Sequence, residues 1–478
     1  MKKITSICAL SFLALGVLTA CGDQTTPLDP ATNVFDGSNI YFELGSTENV
    51  SAKIALDGSI SEIACGRSKA SSGQYSYSDG VLTLAGSYVG SITGSGEKSV
   101  VVTTSSGKTT LTALVCTKVI TTADEFQAIN ADAASLAGTY VLGNDIDLSS
   151  IDNFEPLGWY VTEEDPNNAY FHGILEGNGH TVKNAKVYYA DTVASNYNVY
   201  SESGTRFTHD GHVNGDNIGL FQVIGSSGIV RNVNFSNIKV RGRTIVGVIA
   251  GNVMGTVENC FVDASCSVEM GTHFYDDDCN MGGCFGIVAG SGSVTNVISR
   301  VTSLTEGSTG SATFGGVSVE KAGIYLDFDD DYKGKTGNGW DHGDNSADID
   351  WWKYCAVDRD YAESTGKTGK ALDSNGSQSN GEYAFVGKCW GSVSNCVAQS
   401  FKITPMDGSA RTVNFGQTHL GLNKPTSGES DMGSLTDNQL LSLEEMKAAS
   451  KYAAFDSTVW TIADGAVPTL ISQYNFVA

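Results

Sequence analysis

A short phrase recurs along this chain and limits what it can fold into: Val, any residue, Asn, then a small or apolar residue. It occurs at Val182-Lys-Asn184, Val230-Arg-Asn232, Val257-Glu-Asn259, Val294-Thr-Asn296 and Val393-Ser-Asn395. Four of the five copies carry a Gly two residues before the Val: Gly228, Gly255, Gly292 and Gly391. A second phrase, apolar and bounded by glycine, lies upstream at Gly219–Gly225, Gly247–Gly251 and Gly286–Gly290. The shortest Asn-to-Asn interval is 27 residues, between Asn232 and Asn259, and longer intervals read as the same unit with inserts. A fixed minimum period with insertions is the mark of a solenoid. After each Asn the pattern alternates as in a short strand. Val233, Cys260, Val297 and Cys396 point inward, then Phe235, Val262, Ser299 and Ala398. One such strand per repeat suits a parallel β-helix. The Asn is placed at a corner, because Asn tolerates left-handed backbone and its side chains can stack into a ladder.

The run Phe171-His-Gly-Ile-Leu-Glu-Gly-Asn-Gly-His-Thr-Val182, then Ile218-Gly-Leu-Phe221, then Gly-x-Val-x-Asn, resembles the GLUG-motif repeat proteins of bacterial surfaces. Asn144–Leu148 with Pro156-Leu-Gly158 is similar to their usual lead-in, and Val459–Ile462 with Pro468–Leu470 to their close. The resemblance covers about residues 119–474 and implies a right-handed β-helix. It says little about activity.

Charge excludes one class of partner. The formal net charge is −24, and two units more negative without Lys2 and Lys3. Nucleic acid needs a basic footprint, so it is not an expected partner. An acidic extracellular surface or cation binding fits better.

The first 20 residues read as a signal segment: a Lys2-Lys3 start, an apolar core, then Leu18-Thr-Ala-Cys21, which matches a bacterial lipobox. Cys21 is the expected lipidation site, and the lipid is the expected link to a membrane. Gly22 follows it, so no Asp stands there to retain the protein at an inner membrane; outer membrane or cell surface is the expected location. Residues 21–32 read as the lipidated Cys and a polar tether.

Residues 33–118 read as a small all-β module. Its expected strands are Ile40–Leu44, Ala52–Leu56, Gln74–Ser78, Val81–Leu84, Ser99–Thr103 and Thr109–Val115, with turns at Asp79-Gly80 and Ser106-Gly107. Tyr75–Leu84, with Tyr88-Val89 and Gly96, is similar to X2-type immunoglobulin-like modules, which implies a β-sandwich. Residues 119–478 are the β-helix. A Thr122/Glu125 capping box starts a helix over about 123–134, expected to close the open first coil. A Ser442/Glu445 box starts another to about Ala453 at the far end. The expected class is therefore all-β: a right-handed parallel β-helix with helical end caps, plus an N-terminal immunoglobulin-like sandwich.

Beyond Cys8 and Cys21, nine cysteines remain, an odd number. Cys65 and Cys116 are a candidate disulfide within the module. Cys260 and Cys396 share one inward position with Val297 between them. That puts them about 9–10 Å apart and makes them core residues, not a bonded pair.

Three inserts leave the coil at about 189–216, 270–281 and 306–384. Loops on one side of a solenoid often form its binding face. The longest holds Asp327, Asp329 and Asp331, with the alternate spacing of a calcium loop. Tyr332 stands where the turn needs Gly and Asn338 where a bidentate Glu belongs, so a solvated acidic loop is the plainer expectation. No cofactor is called for otherwise. Trp340, Trp351 and Trp352 are candidates to stack on sugar rings, or to form a satellite core. Asp276–Cys279 superficially resembles the paired-Asp motif of polygalacturonases, but the accompanying Gly-His-Gly and Arg-x-Lys motifs are missing. Asp263 and Arg300 are expected to stack on one outer face, an arrangement a lyase could use, with a surface ion pair of little energetic weight as the plainer expectation. No catalytic residue is assigned. The functional expectation is a non-catalytic adhesion or glycan- or polymer-binding lipoprotein. A polysaccharide lyase or glycoside hydrolase is the alternative, and a structural envelope protein the third.

Overall fold

From residue 118 onward the backbone winds in coils, and each coil lays one short strand on each of up to four parallel sheets. The computed structural model describes residues 28–158, 170–188, 217–242, 245–270, 274–275, 280–306, 311–314, 317–320, 326–327, 381–403, 411–418 and 433–477. The first face has eight strands, from Lys118–Ile120 and Thr139–Leu142 through Ile174–Glu176, Ile229–Arg231, Thr256–Glu258, Ser293–Thr295 and Ser392–Ser394 to Ser434–Thr436. The second has seven, including Asn234–Ser236, Phe261–Val262, Ile298–Ser299 and Val397–Gln399. The third has four: Lys186–Tyr188, Lys239–Gly242, Ser267–Met270 and Ser303–Glu306. The fourth is built on Phe221–Ile224, Ala250–Val253, Phe285–Val288 and the long Gly381–Cys389. This is an all-β parallel β-helix.

The register explains the repeat. Leu175, Val230, Val257, Val294, Val393 and Leu435 pair in one column of the first face. Asn232, Asn259, Asn296 and Asn395 follow at the corner, all left-handed, with φ of 57°, 51°, 55° and 52°. The Asn296 side chain donates to Asn259 Oδ1 at 3.3 Å. Next come Val233, Cys260, Val297 and Cys396, all buried in the core.

Two features of the repeat differ from the sequence reading. Val182 pairs with Phe235 on the second face, so Asn184 stacks with Asn237 at the next corner, at 2.8 Å. Leu175-Glu176-Gly177 holds the first-face position in that coil. The copy at Val182 is the one without the upstream Gly. A further turn of the column is Leu435-Thr436-Asp437, where Asp437 adopts φ of 57° in place of Asn.

The recurring Gly has a steric cause. None of Gly228, Gly255, Gly292 and Gly391 has positive φ. A Cβ on Gly255 would sit 2.3 Å from the carbonyl oxygens of Gly225 and Gly228, and one on Gly391 2.2 Å from that of Ala289. The backbone of the previous coil occupies the space a side chain needs.

The N-terminal module has two sheets around one core. One contains Val34–Asp36, Val50–Lys53, Val81–Leu84 and Tyr75–Ser78; the other contains Asn39–Glu43, Lys108–Cys116, Gly96–Thr104, Ile60–Cys65 and Ser68–Lys69. The expected strands are present within a few residues. Val34–Asp36, Ile60–Cys65 and Ser68–Lys69 are additional. Cys65 and Cys116 do not form the expected staple, and both are buried free thiols. Cys65 pairs with Val100, which pairs with Leu111, five residues short of Cys116 along its strand. At about 3.3 Å per residue that offset alone exceeds disulfide reach.

The two ends of the helix are treated differently. At the start, Ala123–Gln127 is capped by the Thr122/Glu125 box, and Ala133–Leu136 follows after a 3-10 turn. Phe126, Ile129 and Leu136 close the core from above. At the far end the Ser442/Glu445 box forms, but two 3-10 turns follow, Glu445–Lys447 and Ala449–Tyr452. They lie on the flank, not over the end. Met446, Tyr452, Phe455 and Trp460 pack on Ile298, Val397 and Leu441, with Phe261 beside them. Phe261, Ile298 and Val397 are apolar residues at outward positions of the second face, which is why a cover is needed there.

The expected hairpin Trp460–Thr461 with Thr469–Leu470 forms. The chain then runs back to the N-terminal module. Ser472 Oγ and the backbone N–H groups of Gln473 and Tyr474 all donate to Asn178 Oδ1 at 2.8 Å. Phe476 forms an antiparallel bridge with Phe35.

Gly255→Ala is expected to destabilise the protein by about 1–3 kcal/mol through overpacking. Gly290→Ala, where an added Cβ meets nothing within 4 Å, serves as the near-neutral control. Denaturant midpoints of the two variants check the difference.

Candidate functional site

All three inserts leave the coil at one corner. Strands of the third face end at Tyr188, Met270 and Glu306, and the fourth face resumes near Phe221, Asn280 and Gly381. In the uninterrupted coil the same corner joins Lys239–Gly242 to Ile245–Val246 directly. The exits therefore lie above one another along one edge. Two inserts meet there: Phe274–Tyr275 pairs in parallel with Leu326–Asp327. The third insert also carries the hairpin Ser311–Phe314 with Val317–Glu320. On the third face below the exits, Arg241 and Glu269 pair at 2.9 Å.

Of the candidate sugar-binding, metal-binding and lipidation residues, only Asp327 is reached, and only as backbone in that strand pair. Asp329, Asp331, Trp340, Trp351, Trp352 and the lipidation candidate Cys21 lie outside the described residues, as do Cys279 and Cys355. Among the described residues, no group of three His, Cys, Asp or Glu side chains is arranged to hold a metal ion. No described helix is long and apolar enough to cross a membrane.

Asp263 and Arg300 occupy the expected stacked positions. Asp263 accepts from Ser236 Oγ and from the Ser265 backbone, both at 2.7 Å. Arg300 donates to Gln399 Oε1 at 3.3 Å. Both are held by neighbours in a way that suits surface structure.

The most concentrated charge among the described residues is one the sequence reading misses. Glu176 is 1% exposed. It accepts from Arg231 Nε at 2.7 Å, from Asn232 Nδ2 at 3.0 and 3.1 Å, and from the Asn178 N–H at 2.8 Å. Burial holds this carboxyl above its ordinary value, and Arg231 and the other donors oppose that shift without cancelling it. Every partner is a donor, so the arrangement suits a carboxylate. Arg231 also reaches Glu97 of the N-terminal module at 2.6 Å. The cluster joins module to helix, and its central carboxylate is closed off from solvent. Its partners lie 55 and 134 residues apart in sequence, so no local spacing announces it.

The described cysteines are all buried and unpaired: Cys65, Cys116, Cys260, Cys266, Cys284, Cys389 and Cys396. Desolvation raises their thiols, to about 12 for Cys266, Cys389 and Cys396. They are core-filling groups, as expected of Cys260 and Cys396, and not nucleophiles.

No family model matches this chain, and no solved structure matches it. A stretch of 142 residues is 29% identical to halomucin, a cell-surface protein of Haloquadratum walsbyi. The match covers 28% of this chain and 1% of halomucin's own length.

Arg231→Ala leaves Glu176 buried without its counter-charge and is expected to cost about 3–5 kcal/mol. Thermal and denaturant unfolding read this. In a soluble form beginning at Gly22 with Cys279→Ser and Cys355→Ser, a thiol reagent at pH 8 is expected to label nothing quickly. Labelling should appear only on unfolding, because a raised thiol pKa keeps the group protonated at that pH.

Proposed function

We propose that this chain is an exported, lipid-anchored surface protein that binds a glycan or other surface polymer through its inserts, without catalysis. One observation carries the reading: three inserts of unrelated sequence leave the same corner of the coil stack, and two of them pair. A β-helix used this way is a rigid rod that presents loops along one edge. The match to a cell-surface protein supports the surface placement. The GLUG-type ancestry of the coils, the immunoglobulin-like character of the module and anchoring through Cys21 at the outer membrane or cell surface belong to the same proposal. So do sugar stacking by Trp340, Trp351 and Trp352 and calcium at Asp327, Asp329 and Asp331. The net charge of −24 favours neutral or cationic polymers over polyanions.

The test is a glycan array and a pull-down on insoluble polysaccharides, using the soluble form from Gly22. Retention is expected for the parent and lost when residues 307–380 are replaced by a short Gly-Ser link, with the melting curve retained. Trp351→Ala and Trp352→Ala should weaken it, and a chelator should do so only through the Asp cluster. Release of reducing or unsaturated ends would replace this reading with that of a lyase or hydrolase. Retention unchanged without the insert would remove the insert as the site.

A further inference from the structure

We propose that the segment from Asp456 to Val477 is a strap that ties the last coils to the N-terminal module, so that coils and module unfold as one unit. A stack of coils is quasi-one-dimensional: each coil is supported by its neighbours, and the ends fray first. The strap supplies the missing long-range link. Trp460 packs with Ile298 and Val397 and its Nε1 donates to Asn259 Oδ1 at 3.3 Å, in the middle of the stack. Further on, Asn178 holds its amide oxygen toward the strap and takes three donors. Its left-handed backbone, φ of 51°, sets that direction.

The strap ends inside the module. Tyr474 is buried in the module's core. Its ring lies 5.5 Å from that of Tyr41, and Phe476 lies 4.7 Å from Phe35. Asp36 N–H donates to Asn475 O and Val477 N–H to Val34 O, both at 2.7 Å. These bonds flank the Phe35–Phe476 bridge, which makes it a non-hydrogen-bonded antiparallel pair. One segment thus touches a middle coil, the Asn178 corner near the start of the stack, and the module. Apart from the strap, module and coils are joined covalently at the chain crossing near Thr117 and, among the described residues, by packing, by the Arg231–Glu97 pair, and by Glu43, which accepts from the Val119 N–H and pairs with Lys118.

The experiment is hydrogen exchange of residues 33–118 under native conditions in the soluble form from Gly22. Module and coil strands are expected to exchange on one timescale in the intact protein. In a chain ending at Ser472, and in Asn178→Ala, the module should exchange at least tenfold faster than the coils. A second arm does not depend on the truncated chain folding. Phe35→Cys with Phe476→Cys places two thiols on a pair about 4.5 Å apart at Cα, within disulfide reach. The oxidised form should exchange at least tenfold more slowly in the module than the same protein reduced. Equal rates in the intact and truncated chains, or in the oxidised and reduced forms, would overturn the proposal.

Discussion

Backbone hydrogen bonding from coil to coil leaves almost no space at the turns between faces. Strands on adjacent coils sit about 4.8 Å apart, so each corner must bring two backbones that close without a side chain between them. The structure solves this twice in each coil. Glycine stands where the previous coil's carbonyl would strike a Cβ, as at Gly255 and Gly391. Asn follows with a left-handed backbone, turning the chain and lending its amide to the ladder. The apolar columns and the inward cysteines follow from those corners, and the inserts leave at a different one, between the third and fourth faces.

How much of this is legible in the sequence depends on how local the cause is. The corners are local, so the Val-x-Asn phrase reads correctly for four of its five copies. The fifth, at Val182, imitates the phrase from the neighbouring face, and the missing Gly is the only sign of it. The insert boundaries are legible for the same reason: they interrupt a local period. The cover over Phe261, Ile298 and Val397 is not, because it is supplied by residues far along the chain, well over a hundred positions after the first two. Three apolar residues at outward positions mark a face in need of a partner, and alternation alone cannot say which segment provides it. The Cys65–Cys116 pairing fails because strand register, which separates them, is set by the Gly96–Thr104 strand that lies between theirs in one sheet and not by spacing.

The charged junction illustrates a different balance. Glu176 is almost wholly removed from water. Such a group is tolerated only with a full set of donors, and here Arg231, Asn232 and the Asn178 backbone provide it. Arg231 is shared with Glu97, so a buried carboxylate that demands a partner also orients the module against the first face. Charge acts here as a registration device between two bodies that also share apolar contact through Val119, Val141 and Tyr474 and a hydrogen bond from the Val119 N–H to Glu43.

The flank cover has a consequence for synthesis. A chain halted before about residue 446 can stack its coils, since their bonds are already complete, yet it shows Phe261, Ile298 and Val397 as an uncovered apolar stripe. Finished and unfinished molecules then share a backbone fold and differ in surface stickiness. An interrupted product carries its own label, a greasy seam that any holdase selecting for exposed apolar surface can recognise, and the stretch from Met446 to Trp460 is what erases it.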